Sequence, residues 1–272
     1  MTGTDPAYRR YVALGDSQTE GLGDGDDATG LRGFADRLAE HLARANSGLG
    51  YANLAVRGRL AAQVRAEQLA LRPDVATVVA GVNDLLRPRF DADDVASHLE
   101  AMFAALTAQG AHVATLTFPD LARITPLARP LTPRVTALNH RIREAARRHG
   151  VTVAETSHHP VVTDPRLWSP DRLHASPLGH QRIAAALAHA LNVPGADGSW
   201  THPLPQPATP TPVGWRATTA ELRWAATFLG PWLARRLRGR SSGDGHTAKR
   251  PHLAPVNAPP APDILDGPGG SP

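Results

Sequence analysis

Between residues 10 and 194 short apolar runs take turns with amphipathic stretches of helical period, and this alternation constrains the fold more than any other feature of the 272-residue chain. Strands are expected near 10–15, 51–56, 75–80, 112–117 and 151–154, and helices near 31–45, 60–71, 92–108, 132–149 and 177–191. A strand that is followed by a helix and then by another strand needs a crossover, so the strands run parallel and the helices cover both faces of their sheet. The run Val75-Ala76-Thr77-Val78-Val79-Ala80 is β-branched and almost wholly apolar, which suits a central strand buried on both sides. The expected class is therefore α/β, a three-layer α/β/α sandwich with a five-stranded parallel sheet. In such sheets a ligand binds beyond the carboxyl ends of the strands.

The residues just past the first three strands carry chemistry. Tyr11-Val12-Ala13-Leu14 runs into Gly15-Asp16-Ser17-Gln18-Thr19, which puts a hydroxyl at the end of a buried strand. A serine is a weak nucleophile unless a base takes its proton and donors meet the developing oxyanion. Asn53-Leu54-Ala55-Val56-Arg57-Gly58 ends in a glycine whose N–H a ligand can approach closely, and Gly81-Val82-Asn83-Asp84 offers a side-chain amide. Further along, Asp171-Arg172-Leu173-His174 places a carboxylate three residues before an imidazole, where it can accept the Nδ1–H and leave Nε2 outward as a base. Each has a plainer reading by itself. Ser17 suits a helix N-cap, Gly58 and Asn83-Asp84 suit turns, and Asp171 to His174 suits a loop leading to a helix capped by Ser176 with Pro177 at its first position. Asp16 is expected to hold its turn, and His180 to pack or hydrogen-bond.

Taken in order, Gly15-Asp16-Ser17, Gly58, Gly81-Val82-Asn83-Asp84 and Asp171-Arg172-Leu173-His174 resemble the four motif blocks of the SGNH (GDSL-type) hydrolases, over residues 11 to 180. The resemblance implies a flavodoxin-like sandwich and a serine esterase or lipase. It implies Ser17 as nucleophile, His174 as base and Asp171 as its partner, with the Ser17 and Gly58 N–H groups and the Asn83 amide as oxyanion hole. An acyltransferase would use the same residues, and a binding module on this fold would be expected to lack one of them. The expected partner is a small-molecule ester.

The remaining sequence narrows the alternatives. There is no cysteine, so thiolate chemistry and disulfides are excluded. Gly21-Leu22-Gly23-Asp24-Gly25-Asp26-Asp27 lacks the lysine of a phosphate loop and the spacing of a calcium loop, and His158-His159 has no second pair at metal-ligand spacing. No metal or organic cofactor is expected. Met1 to Arg10 has no apolar stretch like that of a secretory signal, and no apolar run is long enough for a bilayer, so the expected location is cytoplasmic.

Beyond the hydrolase domain, placed at 1–194, residues 195–214 read as a Pro/Gly-rich linker. Residues 215–238 read as an aromatic helical segment with a break at Gly230-Pro231, packed on the domain rather than forming a lid or an interfacial helix. Residues 239–272 read as a disordered basic tail. Much of the excess behind the net charge of +4 is local, in a basic stretch that runs from the end of the helical segment into the tail: Arg235, Arg236, Arg238, Arg240, the single lysine Lys249, and Arg250. A solvated basic tail is expected and no nucleic-acid partner, since no recognisable motif accompanies the cluster, and an added membrane-surface or nucleic-acid adaptor role through residues 215–250 stands as the alternative.

Overall fold

The computed structural model describes residues 8–205, 223–230 and 242–256. The chain begins with β1 (Arg10–Gly15) and α1 (Ser17–Glu20), then a small antiparallel hairpin of β2 (Gly25–Asp26) and β3 (Gly30–Leu31). It continues through α2 (Phe34–Ala45), β4 (Gly50–Asn53), α3 (Ala61–Glu67), β5 (Val75–Val79), α4 (Val82–Leu85), α5 (Ala92–Thr107), β6 (His112–Leu116), α6 (Thr132–His149), β7 (Thr152–Ala154) and α7 (Pro177–Ala190). The last element is β8 (Arg250–Pro255).

The strands lie in the order β7-β6-β5-β1-β4-β8. The first five in chain order are mutually parallel, and their spatial order reverses between β1 and β5, as in doubly wound sheets of the flavodoxin type. Every residue of β5 is buried, as its apolar run suggested. Helices α2 and α7 pack on each other, as do α5 with α3 and α6, giving the helical layers of the sandwich. Tyr11, Leu14, Phe34, Phe103 and Leu138 are among the side chains fully enclosed between layers. The expected caps form where the sequence placed them: Ser176 Oγ accepts from Gly179 N at the start of α7, and Pro177 takes the first helical position.

The sheet has six strands, not five. The sixth, β8, pairs antiparallel with β4 and comes from the stretch that composition assigned to a tail. Arg-Pro-His-Leu-Ala-Pro has no alternating pattern and two prolines, which strands tolerate at an edge. Its pairing is supplied by the open main-chain groups of β4. Residues 195–205, read as the start of a linker, fold back on the domain: Asp197 caps a short 3₁₀ turn at Gly198–Thr201, and Trp200 is buried there with its Nε1–H donated to His189 Nδ1 at 3.2 Å. Of the aromatic segment, only 223–230 are described, with Ala225–Leu229 in a π-helical turn. Gly230 is described but Pro231 is not, and Arg235, Arg236, Arg238 and Arg240 lie outside the described residues. Among the described residues no helix is long and apolar enough to cross a membrane.

Candidate active site

Ser17 stands at the first position of α1, directly beyond β1. The turn that delivers it is built around Gly15. A Cβ at Gly15 would overlap the Val79 carbonyl oxygen of the neighbouring strand, so the close approach needs glycine. Buried Gln68 brackets the same residue, accepting from Gly15 N at 2.8 Å and donating to Gly15 O at 2.9 Å. Asp16 caps α1 by accepting from Gln18 N. Burial pushes the Asp16 carboxyl up to about 7, even though the Gln18 N–H works the other way.

The acid–base loop is closed by a bridge between Trp168 and Ala175. Asp171 Oδ1 accepts from the backbone N–H groups of Leu173 (2.9 Å) and His174 (3.0 Å) and from Ser169 Oγ (2.6 Å), which folds the loop. Its Oδ2 lies 2.6 Å from His174 Nδ1, and His174 Nε2 lies 2.9 Å from Ser17 Oγ. Burial acts to raise Asp171, but the hydrogen bond and charge of His174 prevail and hold it well below the usual carboxylate range. A carboxylate of that kind fixes the imidazole tautomer and leaves Nε2 to accept the serine proton.

Asn83 lies on α4, beyond β5, and its amide donates to Asp16 Oδ2 at 3.2 Å and to Arg59 O at 3.1 Å. It is thus tied to the residue before Ser17. Gly58 follows β4 at the same edge of the sheet, in a turn with φ 75. The loop before it is anchored to α1, since Glu20 Oε2 accepts from Arg57 N (2.6 Å) and Glu20 Oε1 from Arg57 Nε and Nη2 (2.9 and 2.6 Å). Arg57 also pairs with Asp27. His180, fully buried, takes no part in the array. Its Nε2–H donates to Leu22 O and its Nδ1 accepts from Phe34 N, while burial lowers its pKa to about 4.

Gln68, Ser169, Glu20 and Arg57 were not singled out from the sequence. Gln68 and Ser169 gave no local signal. Glu20 and Arg57 sit within the motif blocks themselves, but each has a like charge close by, Asp16 and Arg59, so neither stands out along the chain. Among the described residues no group of three or more His, Asp or Glu is arranged to hold a metal ion. The aspartates of the Gly-rich stretch are used within the protein: Asp24 pairs with Arg37, and Asp26 accepts from Ala28 N and Thr29 N.

Beside the array is an apolar cavity of about 70 Å³. It reaches Gln18, next to Ser17, and Leu173 and Ala175, either side of His174, and its walls include Leu116, Phe118 and Ile183.

A doubly wound sheet with a Ser–His–Asp array at the carboxyl ends of its strands defines a class of hydrolase-like α/β proteins. Residues 13–182 match the model of the GDSL-like lipase/acylhydrolase family, and the chain belongs to that family. Its class is accordingly that of a hydrolase. Similar solved structures include LAE5, an alpha/beta hydrolase from the metagenome of Lake Arreo, Spain (21% identity, 68% of this chain and 95% of that one, TM-score 0.56). Axe2, an acetylxylan esterase from Geobacillus stearothermophilus, is similar at 16% identity over 67% of this chain and 94% of that one, with a TM-score of 0.55. A lipase/acylhydrolase from Enterococcus faecalis is similar at 21% identity over 66% and 94%, with a TM-score of 0.52. No curated protein sequence matches the chain.

Proposed function

We propose that the protein is a serine esterase that cleaves small carboxylic esters through an acyl-enzyme on Ser17. The observation that carries this reading is the continuous path from Ser17 Oγ to His174 Nε2 (2.9 Å) and from His174 Nδ1 to Asp171 (2.6 Å). As Ser17 Oγ attacks the ester carbonyl, His174 takes its proton and Asp171 stabilises the imidazolium. The oxyanion is met by Ser17 N–H, Gly58 N–H and the Asn83 amide, in place of one of the acceptors that the amide holds now. At the first position of α1 the Ser17 N–H has no acceptor within its helix. His174 then protonates the departing alkoxide, and the same groups activate water to release the acid. The apolar cavity takes the acyl group. It is about half the size of a 150 Å³ cavity that admits benzene, which favours short acyl chains.

Hydrolysis of p-nitrophenyl acetate by wild type and by Ser17→Ala tests the assignment. The variant should lose turnover and also labelling by an organophosphonate. Activity that survives in Ser17→Ala, or a label on another serine, rules the mechanism out.

A further inference from the structure

We infer that the Arg57–Gly58 peptide is held in place for catalysis from two sides, by Glu20 on the nucleophile's own helix and by Gly243 in the C-terminal segment. Both are then positioning residues for the oxyanion. This rests on the reading of the Gly58 N–H as an oxyanion donor. The Arg57 carbonyl and the Gly58 N–H are opposite ends of one planar unit, so whatever fixes the direction of the first fixes the direction of the second.

Gly243 packs so closely on that carbonyl that an added Cβ would overlap the oxygen. On the preceding peptide, the Arg57 N–H is donated to Glu20, a carboxylate that is 3% exposed and sits three residues after Ser17. The same carboxylate holds the Arg57 guanidinium. The loop therefore cannot shift relative to the serine without breaking buried, charge-assisted hydrogen bonds.

Gly243 is itself delivered by the β8 ladder. Arg250 lies opposite Asn53, donates from Nε to Tyr51 O at 2.8 Å and stacks over the Tyr51 ring, while Lys249 Nζ reaches Asp36 Oδ2 at 2.6 Å and Leu31 O at 2.9 Å. Because β8 runs antiparallel to β4, the residues before it lie alongside the chain that leaves β4 toward Gly58. The family match covers residues 13–182, so the Glu20 side of the brace lies within it, and the Gly243 side comes from outside the family's core.

The test measures p-nitrophenyl acetate hydrolysis by the full chain, with kcat counted per site titrated to end point by an organophosphonate. Unfolded enzyme then drops out of the rate. Gly243→Ala should lower kcat roughly ten- to hundredfold, less than the 10²–10³ of a deleted donor, with KM changed less than about threefold. Gly245→Asn, at a left-handed position with open space around it, should keep wild-type kcat. On an Asn83→Ala background, Gly243→Ala should cost less than it does alone, since both act on one oxyanion.

If Gly243→Ala gives no titratable sites, Glu20→Gln carries the same comparison. It keeps an acceptor for the Arg57 N–H but loses the charge, and kcat should fall about three- to tenfold with KM held. Wild-type kcat in the substituted variant beside an impaired Asn83→Ala overturns the brace alone, as does equal loss in Gly245→Asn. Unchanged kcat in Asn83→Ala overturns the oxyanion reading and the brace with it.

Discussion

Asp171 divides its work between its two oxygens, one folding the loop through backbone N–H groups and the other holding the imidazole. That division is why a spacing of three suffices, for the carboxylate that shapes the turn also faces the ring the turn presents. His180, six residues beyond His174, has the opposite surroundings. It is buried, neutral and bonded to backbone at both nitrogens, and its pKa is lowered to about 4. Between that value and an unfolded value near 6.5 the unfolded chain binds more protons, so the stability from keeping His180 neutral is present above about 6.5 and is lost as pH falls toward 4. Asp16 has the reverse sign. Its folded pKa is raised to about 7, so its contribution is present below the unfolded carboxylate value and is lost as pH rises through about 7. Denaturant unfolding should therefore show wild type losing about 2 kcal/mol more than His180→Gln between pH 7 and pH 4.5. Equal losses in the two proteins would remove His180 from the account.

At the scale of elements, β8 changes what β4 is. Without it β4 would be an open parallel edge, and such edges invite pairing with other chains. With it, β4 is covered and the segment is tied down by the single lysine. Lys249 meets Asp36, which also accepts from Gly33 N at the start of α2 and from the Tyr51 hydroxyl. Lys249→Met keeps the aliphatic stem and leaves that carboxylate without its cation. The expected loss is at most roughly 1.5–3 kcal/mol, the range for a hydrogen bond to a charged group, or a Tm lower by several degrees. Thermal unfolding of the variant checks this, and an unchanged Tm would mean that the lysine is not an anchor. Activity with p-nitrophenyl acetate should fall less than in Gly243→Ala, because the contact on the Arg57 carbonyl is one step removed.

Across the whole molecule, the cavity and the array meet at residues that neighbour the reacting groups, Gln18 on one side and Leu173 and Ala175 on the other. A cavity of this size should make kcat/KM highest for p-nitrophenyl esters of two to four acyl carbons and lower by octanoate. Ile183→Ala, which removes part of the wall, should move the optimum to longer chains, whereas an optimum already at octanoate in wild type would take the acyl group out of this cavity. The alternation of strand and helix and the residues at the strand ends were legible in the sequence, because period and chain direction are local properties. A parallel strand order then brings Ser17, Gly58 and Asn83 to one edge whatever the rest of the chain does. The Asp171–His174 pairing was legible for the same reason, as both lie within one loop. What the tertiary structure alone decided joins residues far apart along the chain: Gln68 around Gly15, Glu20 with Arg57, and β8 along β4 with Gly243 against the Arg57 carbonyl. No periodicity announces these. A buried carboxylate becomes a brace only when the fold brings its arginine to it, and a proline-bearing segment becomes a strand only when an open edge supplies the hydrogen bonds that its own sequence does not encode.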